Sequence, residues 1–215
     1  DETLSMLGLN SMAFTVDITK DEQIKSMVKK VEDKFGAVDI LVNNAALSLP
    51  QDTFNMSQEE FGKVFDTNVV GMFLCCRAVF SSMKKRGGGK IINIASVYGI
   101  VGIDKSLYVD DLEKTFDLHS YTSSKGAVIN LTKDLAVYWG RFGINVNAIS
   151  PGMMVTKLQR KTFDKEVISK LEKRVPMKRV GAPSELIGAV VFLASDASNY
   201  INGHNLVIDG GWVCW

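Results

Sequence analysis

The sequence predicts an α/β fold in which a parallel β-sheet carries α-helices on both faces. Short, almost wholly apolar runs alternate with longer amphipathic stretches along most of the chain. Such apolar runs suit strands that are buried on both faces, as the strands of parallel sheets are. Small or polar residues follow the runs, which is typical of the sheet edge at which these folds bind ligands.

The predicted elements follow one another without an internal repeat or a linker. After a strand near Phe14, apolar residues from Ile24 to Phe35 recur at helical spacing, and Gly36 ends that helix. The run "DILV" is the next strand. The later elements are a helix over about 58–86, the strand "GKIINI", a helix over about 120–142, the strand "INVNAIS", a helix over about 184–195 and the strand "NLVID".

Length and composition favour one globular domain spanning residues 1–215. The chain is 46% hydrophobic, enough for a substantial core. Its 25 basic and 24 acidic residues leave a formal net charge of +1, which gives no electrostatic reason to expect a nucleic-acid or membrane partner.

The cysteines and the apolar runs indicate a cytoplasmic protein. Cys75, Cys76 and Cys214 make a poor disulfide framework, so we expect them to be reduced. The longest nearly apolar run, 69–80, contains Arg77 and is shorter than the ~20 residues of a membrane span. His119 and His204 are too widely separated to suggest a metal site.

One pair of residues on a predicted helix suggests chemistry. Tyr121 and Lys125 stand four residues apart, so they project from neighbouring turns on one helix face. An ammonium group close to a phenol stabilises the phenolate and lowers the phenol pKa. The pattern is common on helix surfaces, so its meaning depends on the residues around it.

Six sequence blocks resemble the short-chain dehydrogenase/reductase family from about Ala13 to Gly211. In order they are "DILVNNAA", "FDTNVVGMF", "GKIINIASVYG", "YTSSK", "INVNAISPGMMVT" and "INGHNLVIDGG". The resemblance implies a Rossmann-type, doubly wound parallel sheet. It also implies an enzyme that transfers a hydride between NAD or NADP and a small hydroxyl or keto compound.

The resemblance assigns four catalytic residues. Tyr121 is implied to be the general acid/base, and Lys125 to lower its pKa and hold the nicotinamide ribose. Ser96 is implied to bond the substrate oxygen. Asn68 is implied to kink a helix and hold a water that links the lysine to solvent.

The same resemblance implies a cofactor site built from several segments. Ala46 stands where the family often has glycine, which would cost about 1 kcal/mol if the backbone there needs a positive φ. The adenine contacts implied are Asp17 and Ile18, and the segment ending in Thr156 is implied to meet the nicotinamide. The full predicted set is Asp17, Ile18, Asn43, Asn44, Ala45, Tyr121, Lys125, Pro151, Gly152, Met154 and Thr156.

Two features depart from the family pattern. The family's opening strand, glycine-rich turn, helix and second strand have no counterpart, so we expect the sequence to be a portion of a longer protein. The connection from Ser96 to Tyr121 is longer than usual and contains the insertion 103–118, "IDKSLYVDDLEKTFDL". Because it follows a catalytic strand, we expect it to border the substrate pocket and to shape specificity.

Three functions remain open at this point. A polyol, sugar or sugar-acid dehydrogenase is favoured over a 3-oxoacyl carrier-protein reductase, because such reductases have an arginine where this chain has Val137. A non-catalytic dinucleotide-binding or scaffolding relative is the third. The resemblance also implies a homotetramer or dimer, formed through the helices around Phe73 and Leu131 and through the terminal Trp212 and Trp215.

Overall fold

The fold is built around a sheet of four parallel strands. The computed structural model describes residues 10–49, 55–108, 118–156 and 164–215. The strands occur in the sheet in the order in which they occur in the chain. They are β1 (Ile40–Asn43), β2 (Gly89–Ile94), β3 (Ile144–Pro151) and β4 (Asn205–Ile208). All three pairings are parallel, with Ile91 opposite Leu41 and Val146 in the centre.

Helices cover both faces of this sheet, as predicted. Neighbouring residues of β2 show this: Ile91 packs in a cluster with α-helical Val79 and Val128, whereas Ile92 packs with Leu193. The helices are α1 (Asp21–Phe35), α2 (Gln58–Phe65), α3 (Met72–Arg86), α4 (His119–Trp139), α5 (Lys165–Arg174) and α6 (Ile187–Ala194).

Two elements differ from the sequence-based expectation. Residues 11–17 form no strand, because no described strand lies beside them to complete the hydrogen bonds that a strand needs. Helix α5 was not predicted, although its sequence carried the signal. Asp164 caps its first turn by accepting from the Glu166 amide, and Ile168 and Leu171 are buried at helical spacing.

The helical stretch Gln58–Arg86 is continuous and changes pitch in the middle. A capping box between Ser57 and Glu60 starts α2, and the π-helical segment Asp66–Gly71 joins it to α3. By length and composition the 29-residue stretch could cross a membrane, which the shorter apolar run in the sequence did not suggest. It packs against α1, β2 and α4, however, as core helices of water-soluble proteins do.

The C-terminal segment packs on its own chain through both of its tryptophans, although only Trp212 is buried. The Trp215 indole nitrogen donates to the Arg174 carbonyl at 3.2 Å. Trp212 is buried, its ring lies edge to face with Tyr98 at 6.3 Å between centroids, and the Arg174 guanidinium lies 5.1 Å from its centroid. The prediction that Trp212 packs on another subunit is therefore wrong, because its apolar surface is already covered. Trp215 is 67% exposed, and the prediction for that residue stays a prediction.

Candidate active site

A cavity of about 790 Å³ opens where the strands β1, β2 and β3 end, beside the start of α4. Its size is typical of cofactor and substrate sites. Seven of the predicted site residues line it: Asn44, Ser96, Tyr121, Lys125, Pro151, Gly152 and Met154. Residues of four separate segments therefore meet at one edge of the sheet, as expected for the carboxyl ends of parallel strands.

The side chains of Ser96 and Tyr121 both line this cavity, and Ser96 is near enough to act on the pKa of the phenol. Ser96 follows β2 directly, and its Oγ also accepts from the Tyr98 amide at 3.1 Å, which fixes its orientation at the start of a 3₁₀ turn. Burial raises the pKa of Tyr121 above its ordinary value, and the nearby Ser96 hydroxyl acts in the opposite direction. This raised pKa differs from the expected lowering, and the effect of Lys125 on the phenol stays a prediction.

The environment of Lys125 explains that difference. Its side chain is only 2% exposed, and Nζ donates to the Ile94 carbonyl at 2.7 Å, while lying 5.6 Å from the centroid of the Tyr121 ring. The lysine does approach the phenol from the same helix face. Burial, however, removes water from both groups, and it lowers the pKa of Lys125 to about 8.

Lys125→Met is expected to change how stability depends on pH. Burial holds the Lys125 pKa at about 8 in the folded protein, against the ordinary lysine value of 10.5 that applies to the unfolded chain. Between these values the unfolded chain binds a proton that the folded protein has lost, so the free energy of unfolding rises with pH. Urea unfolding across this window should show wild type gaining up to about 3 kcal/mol relative to the variant.

The control for this experiment is Lys133→Met, which removes an exposed lysine from the same helix. It should keep the pH dependence of the wild type. The prediction would be contradicted if the free energies of unfolding of wild type and Lys125→Met differed by a constant amount from neutral to alkaline pH. Burial also raises the pKa of Cys75 to about 11 and of Cys76 to about 12, so these thiols contribute to the pH dependence of stability. Their contribution is the same in every variant and cancels when variants are compared.

Asn68 lies behind the cavity and ties two of its walls together. It sits in the π-helical segment with no exposed surface. Its Oδ1 accepts from the Leu47 amide at 2.7 Å, and its Nδ2 donates to the Leu47 carbonyl and the Ser124 hydroxyl, each at 2.9 Å. Ser124 in turn donates to the Tyr121 carbonyl at 2.7 Å. Asn68 thus connects the segment after β1 to the first turn of α4.

Gly99 allows the Ser96 segment to lie directly against α4. A Cβ atom on Gly99 would lie 2.6 Å from the Lys125 carbonyl carbon and 2.8 Å from the Gly126 amide nitrogen. Such a contact is too short for any side chain to occupy. Sequence reasoning did not single out Gly99 or Gly126, although their positions next to the Ser96 turn and Lys125 were visible.

Several predicted cofactor residues lie outside the cavity lining. The Asn43 amide points into the sheet and donates to Asn93 Oδ1 at 2.9 Å. Asp17 accepts from the amide and hydroxyl of Thr19, which lowers the pKa of its carboxyl group. Ile18 packs against Gly71, so closely that a Cβ atom added to Gly71 would lie 2.9 Å from the Ile18 carbonyl oxygen. The others outside the lining are Ala45 and Thr156.

Ala46 causes no backbone strain at the cavity wall. Among the described residues other than glycine, only Lys178 has a positive φ. The alanine methyl group therefore has no conformational cost here.

The insertion 103–118 borders the cavity through its described ends, as predicted. Tyr108 and Leu118 both line it, and residues 109–117 lie outside the described part of the chain. Tyr98 and Met153 also line the cavity, and sequence reasoning did not predict a role for Tyr98 or Tyr108. Tyr98 lies within a family block, but the resemblance assigns no role to it or to Tyr108, and the two come together only through folding.

Comparison with known proteins agrees with this geometry. A sequence family described as "Enoyl-(Acyl carrier protein) reductase" matches residues 2–213. An NAD-dependent glycerol dehydrogenase of Listeria innocua is 35% identical over 94% of this chain and 75% of that protein. A 2-dehydro-3-deoxy-D-gluconate 5-dehydrogenase of Escherichia coli is 36% identical over 99% and 80%. This chain belongs to the short-chain dehydrogenase/reductase family.

Two further members of the family bear on the choice of function. A 3-oxoacyl-[acyl-carrier-protein] reductase of Staphylococcus epidermidis is 32% identical over 98% of this chain and 81% of that protein. A gluconate 5-dehydrogenase of Burkholderia cenocepacia, solved with NADP and tartrate, superposes with a TM-score of 0.81 at 35% identity, covering 93% of this chain and 74% of that one. The predicted Rossmann-type fold is confirmed, and this short-chain dehydrogenase/reductase is an oxidoreductase that uses NAD or NADP.

Proposed function

We propose that this short-chain dehydrogenase/reductase transfers a hydride between its nicotinamide cofactor and a small polyol, sugar or sugar acid, with Tyr121 as the general acid/base. The observation that carries the proposal is that Ser96, Tyr121 and Lys125 line one wall of the same cavity where β2 ends. Two hydroxyl groups held together at the end of a strand can both contact one substrate oxygen. Lys125 completes the site from the next turn of α4.

The chain's own residues account for the proton transfer. In ketone reduction the bound nicotinamide supplies the hydride, and the substrate oxygen gains negative charge. Ser96 and Tyr121 donate hydrogen bonds to that oxygen, and the Tyr121 proton then moves to it. Because burial raises its pKa, the phenol is protonated near neutrality and ready to donate. The charged Lys125 stabilises the resulting phenolate, and positioned proton transfer of this kind contributes about 10²- to 10⁴-fold.

We assign the nicotinamide end of the cofactor to the cavity lining around Lys125. The amine would hold the ribose, with Asn44 on one side and the segment Pro151–Met154 on the other, all of them at the cavity wall. Asp17, Ile18, Asn43, Ala45 and Thr156 are proposed as outer contacts of the cofactor. Asn68 is proposed to act through the backbone of α4, by holding the turn that carries Tyr121.

The preference for a small polar substrate is supported by α4. Val137 is 80% exposed at the position where carrier-protein reductases have an arginine, so this part of α4 lacks the cation that would contact an acidic carrier. The glycerol and sugar-acid dehydrogenases among the relatives agree with this preference. The carrier-protein reductase among them keeps the 3-oxoacyl substrate as the second candidate.

The test is a substrate panel with NAD(H) and NADP(H), followed by the absorbance of the reduced nicotinamide. We expect turnover with glycerol, gluconate or a keto-gluconate, and little with a 3-oxoacyl thioester. Turnover of the thioester alone would favour the carrier-protein reductase. Tight cofactor binding without turnover of any carbonyl or alcohol would indicate a non-catalytic relative.

We further propose that the protein is a cytoplasmic single-domain homo-oligomer, a tetramer or a dimer. Val137 and Tyr138 (62% exposed) on α4 and Val70 (45% exposed) in the π-helical segment are apolar side chains that a second subunit would cover. The helices around Phe73 and Leu131 carry this surface, and Trp215 extends it at the C-terminus. Cys75, Cys76 and Cys214 are free thiols, which suits a reducing compartment.

A further inference from the structure

Two tyrosines form one wall of the cavity and touch each other through their hydroxyl groups. Tyr98 lies in the 3₁₀ turn that begins at Ser96, and Tyr108 comes from the insertion. Their hydroxyl groups are hydrogen-bonded to each other. The Tyr108 hydroxyl also lies 3.3 Å from Met153 Sδ, and the Tyr98 hydroxyl lies 3.8 Å from it. Three separate segments thus meet at this pair.

The pair is held in place from both sides. Tyr98 is only 8% exposed and packs edge to face against Trp212. On the other side, Asp104 caps the short 3₁₀ turn Lys105–Leu107 by accepting from the amide and hydroxyl of Ser106 at 3.1 and 2.6 Å. Such fixed hydroxyl groups lose little entropy when they bind a ligand.

Both phenols keep their protons near neutrality. Burial is the main cause that raises the pKa of Tyr98 and of Tyr108 above the ordinary value. The two tyrosines line the same cavity as Tyr121. Together the two groups can donate and accept hydrogen bonds, and the thioether of Met153 is only a weak acceptor.

We propose that the Tyr98 and Tyr108 hydroxyl pair binds a second hydroxyl group of the substrate, close to the carbon that exchanges hydride. Ser96 and Tyr121 take the reacting oxygen, and the pair lies on the adjoining wall of the same cavity. A substrate hydroxyl replaces the weak contact with sulfur by a hydrogen bond to oxygen. The chemical class selected is the α-hydroxy ketone and its vicinal diol. This inference deepens the proposed function and rests on it.

The test compares two ketones that differ by one hydroxyl group, acetoin and butanone. We expect Tyr108→Phe and Tyr98→Phe each to lower kcat/KM for acetoin by about tenfold, since a lost hydrogen bond to a neutral group has about this effect. Their kcat/KM for butanone should stay within about twofold of wild type. Tyr200→Phe is the matched control, because Tyr200 is fully exposed, and it should change neither value.

Other outcomes overturn the proposal in distinguishable ways. Equal losses with both ketones would mean that the pair only supports the fold of the cavity wall, and no loss with either would mean that the pair does not touch the substrate. If the wild type reduces neither ketone, the proposed function fails for this class. Isothermal titration calorimetry then tests binding alone: equal affinity for acetoin and butanone, or a preference that survives Tyr108→Phe, overturns the hydroxyl-pair proposal.

Discussion

Tyr121→Phe is expected to lower kcat by about 10²- to 10⁴-fold, the contribution of a positioned general acid. The variant keeps the ring in its pocket and loses only the hydroxyl group, which lines the cavity together with Ser96. The free energy of unfolding should therefore change by only about 1 kcal/mol. Steady-state rates with the substrate found in the panel, and the binding of reduced nicotinamide followed by its fluorescence, measure the two effects separately.

Tyr138→Phe is the matched control for Tyr121→Phe. Tyr138 lies on the same helix α4, but its side chain is 62% exposed and lies away from the cavity lining. It should retain wild-type kcat. If Tyr121→Phe keeps the full wild-type kcat, the phenol takes no part in the mechanism. If Tyr138→Phe loses as much kcat as Tyr121→Phe, the cause is a general defect of α4.

Gly99→Ala is expected to damage the fold and the site together. The added methyl group would lie 2.6 Å from the Lys125 carbonyl carbon and 2.7 Å from its oxygen, so the Ser96 turn or α4 must move. Overpacking of this kind typically lowers the free energy of unfolding by about 1–3 kcal/mol. Because the movement separates Ser96 from Tyr121, kcat should also fall, by about 10- to 100-fold. Urea unfolding and steady-state kinetics measure the two effects.

Gly188→Ala is the matched control for Gly99→Ala. Gly188 lies in α6, and a Cβ atom there would meet no atom within 4 Å. Alanine in a helix is favoured over glycine by about 0.5–1 kcal/mol, so this variant should be slightly more stable than wild type and fully active. A Gly99→Ala protein with wild-type stability and kcat would show that the close approach of the turn to α4 is not needed.

The order and type of the main elements could be predicted from the sequence. Buried parallel strands such as β2 and β3 are rich in apolar residues, and amphipathic helices such as α1 repeat their apolar residues every turn. Helix α5 was missed even though Ile168 and Leu171 carry the same periodicity. The strand expected near Phe14 is not formed, because a strand depends on hydrogen bonds to a neighbour that local sequence does not specify.

Only those residues of the candidate site that lie in short sequence motifs could be predicted. Ser96, Tyr121 and Lys125 were singled out in advance, and the structure places all three at one cavity. Tyr98 lies in the block "GKIINIASVYG" and Tyr108 ten residues later in the insertion, but no motif assigns either residue a role. The two tyrosines are in contact because the insertion folds back onto the turn after β2. The local sequence does not specify this arrangement.

The sequence by itself determined the alternation of strands and helices, the family and the presence of a phenol and an amine on one helix face. These properties depend on local periodicity and on residue identity. Only the tertiary structure decided the sign of the Tyr121 pKa shift, the burial of Trp212 and the meeting of Tyr98 with Tyr108. The physical reason is that desolvation and packing depend on which distant segments surround a side chain, and that arrangement exists only in the folded chain.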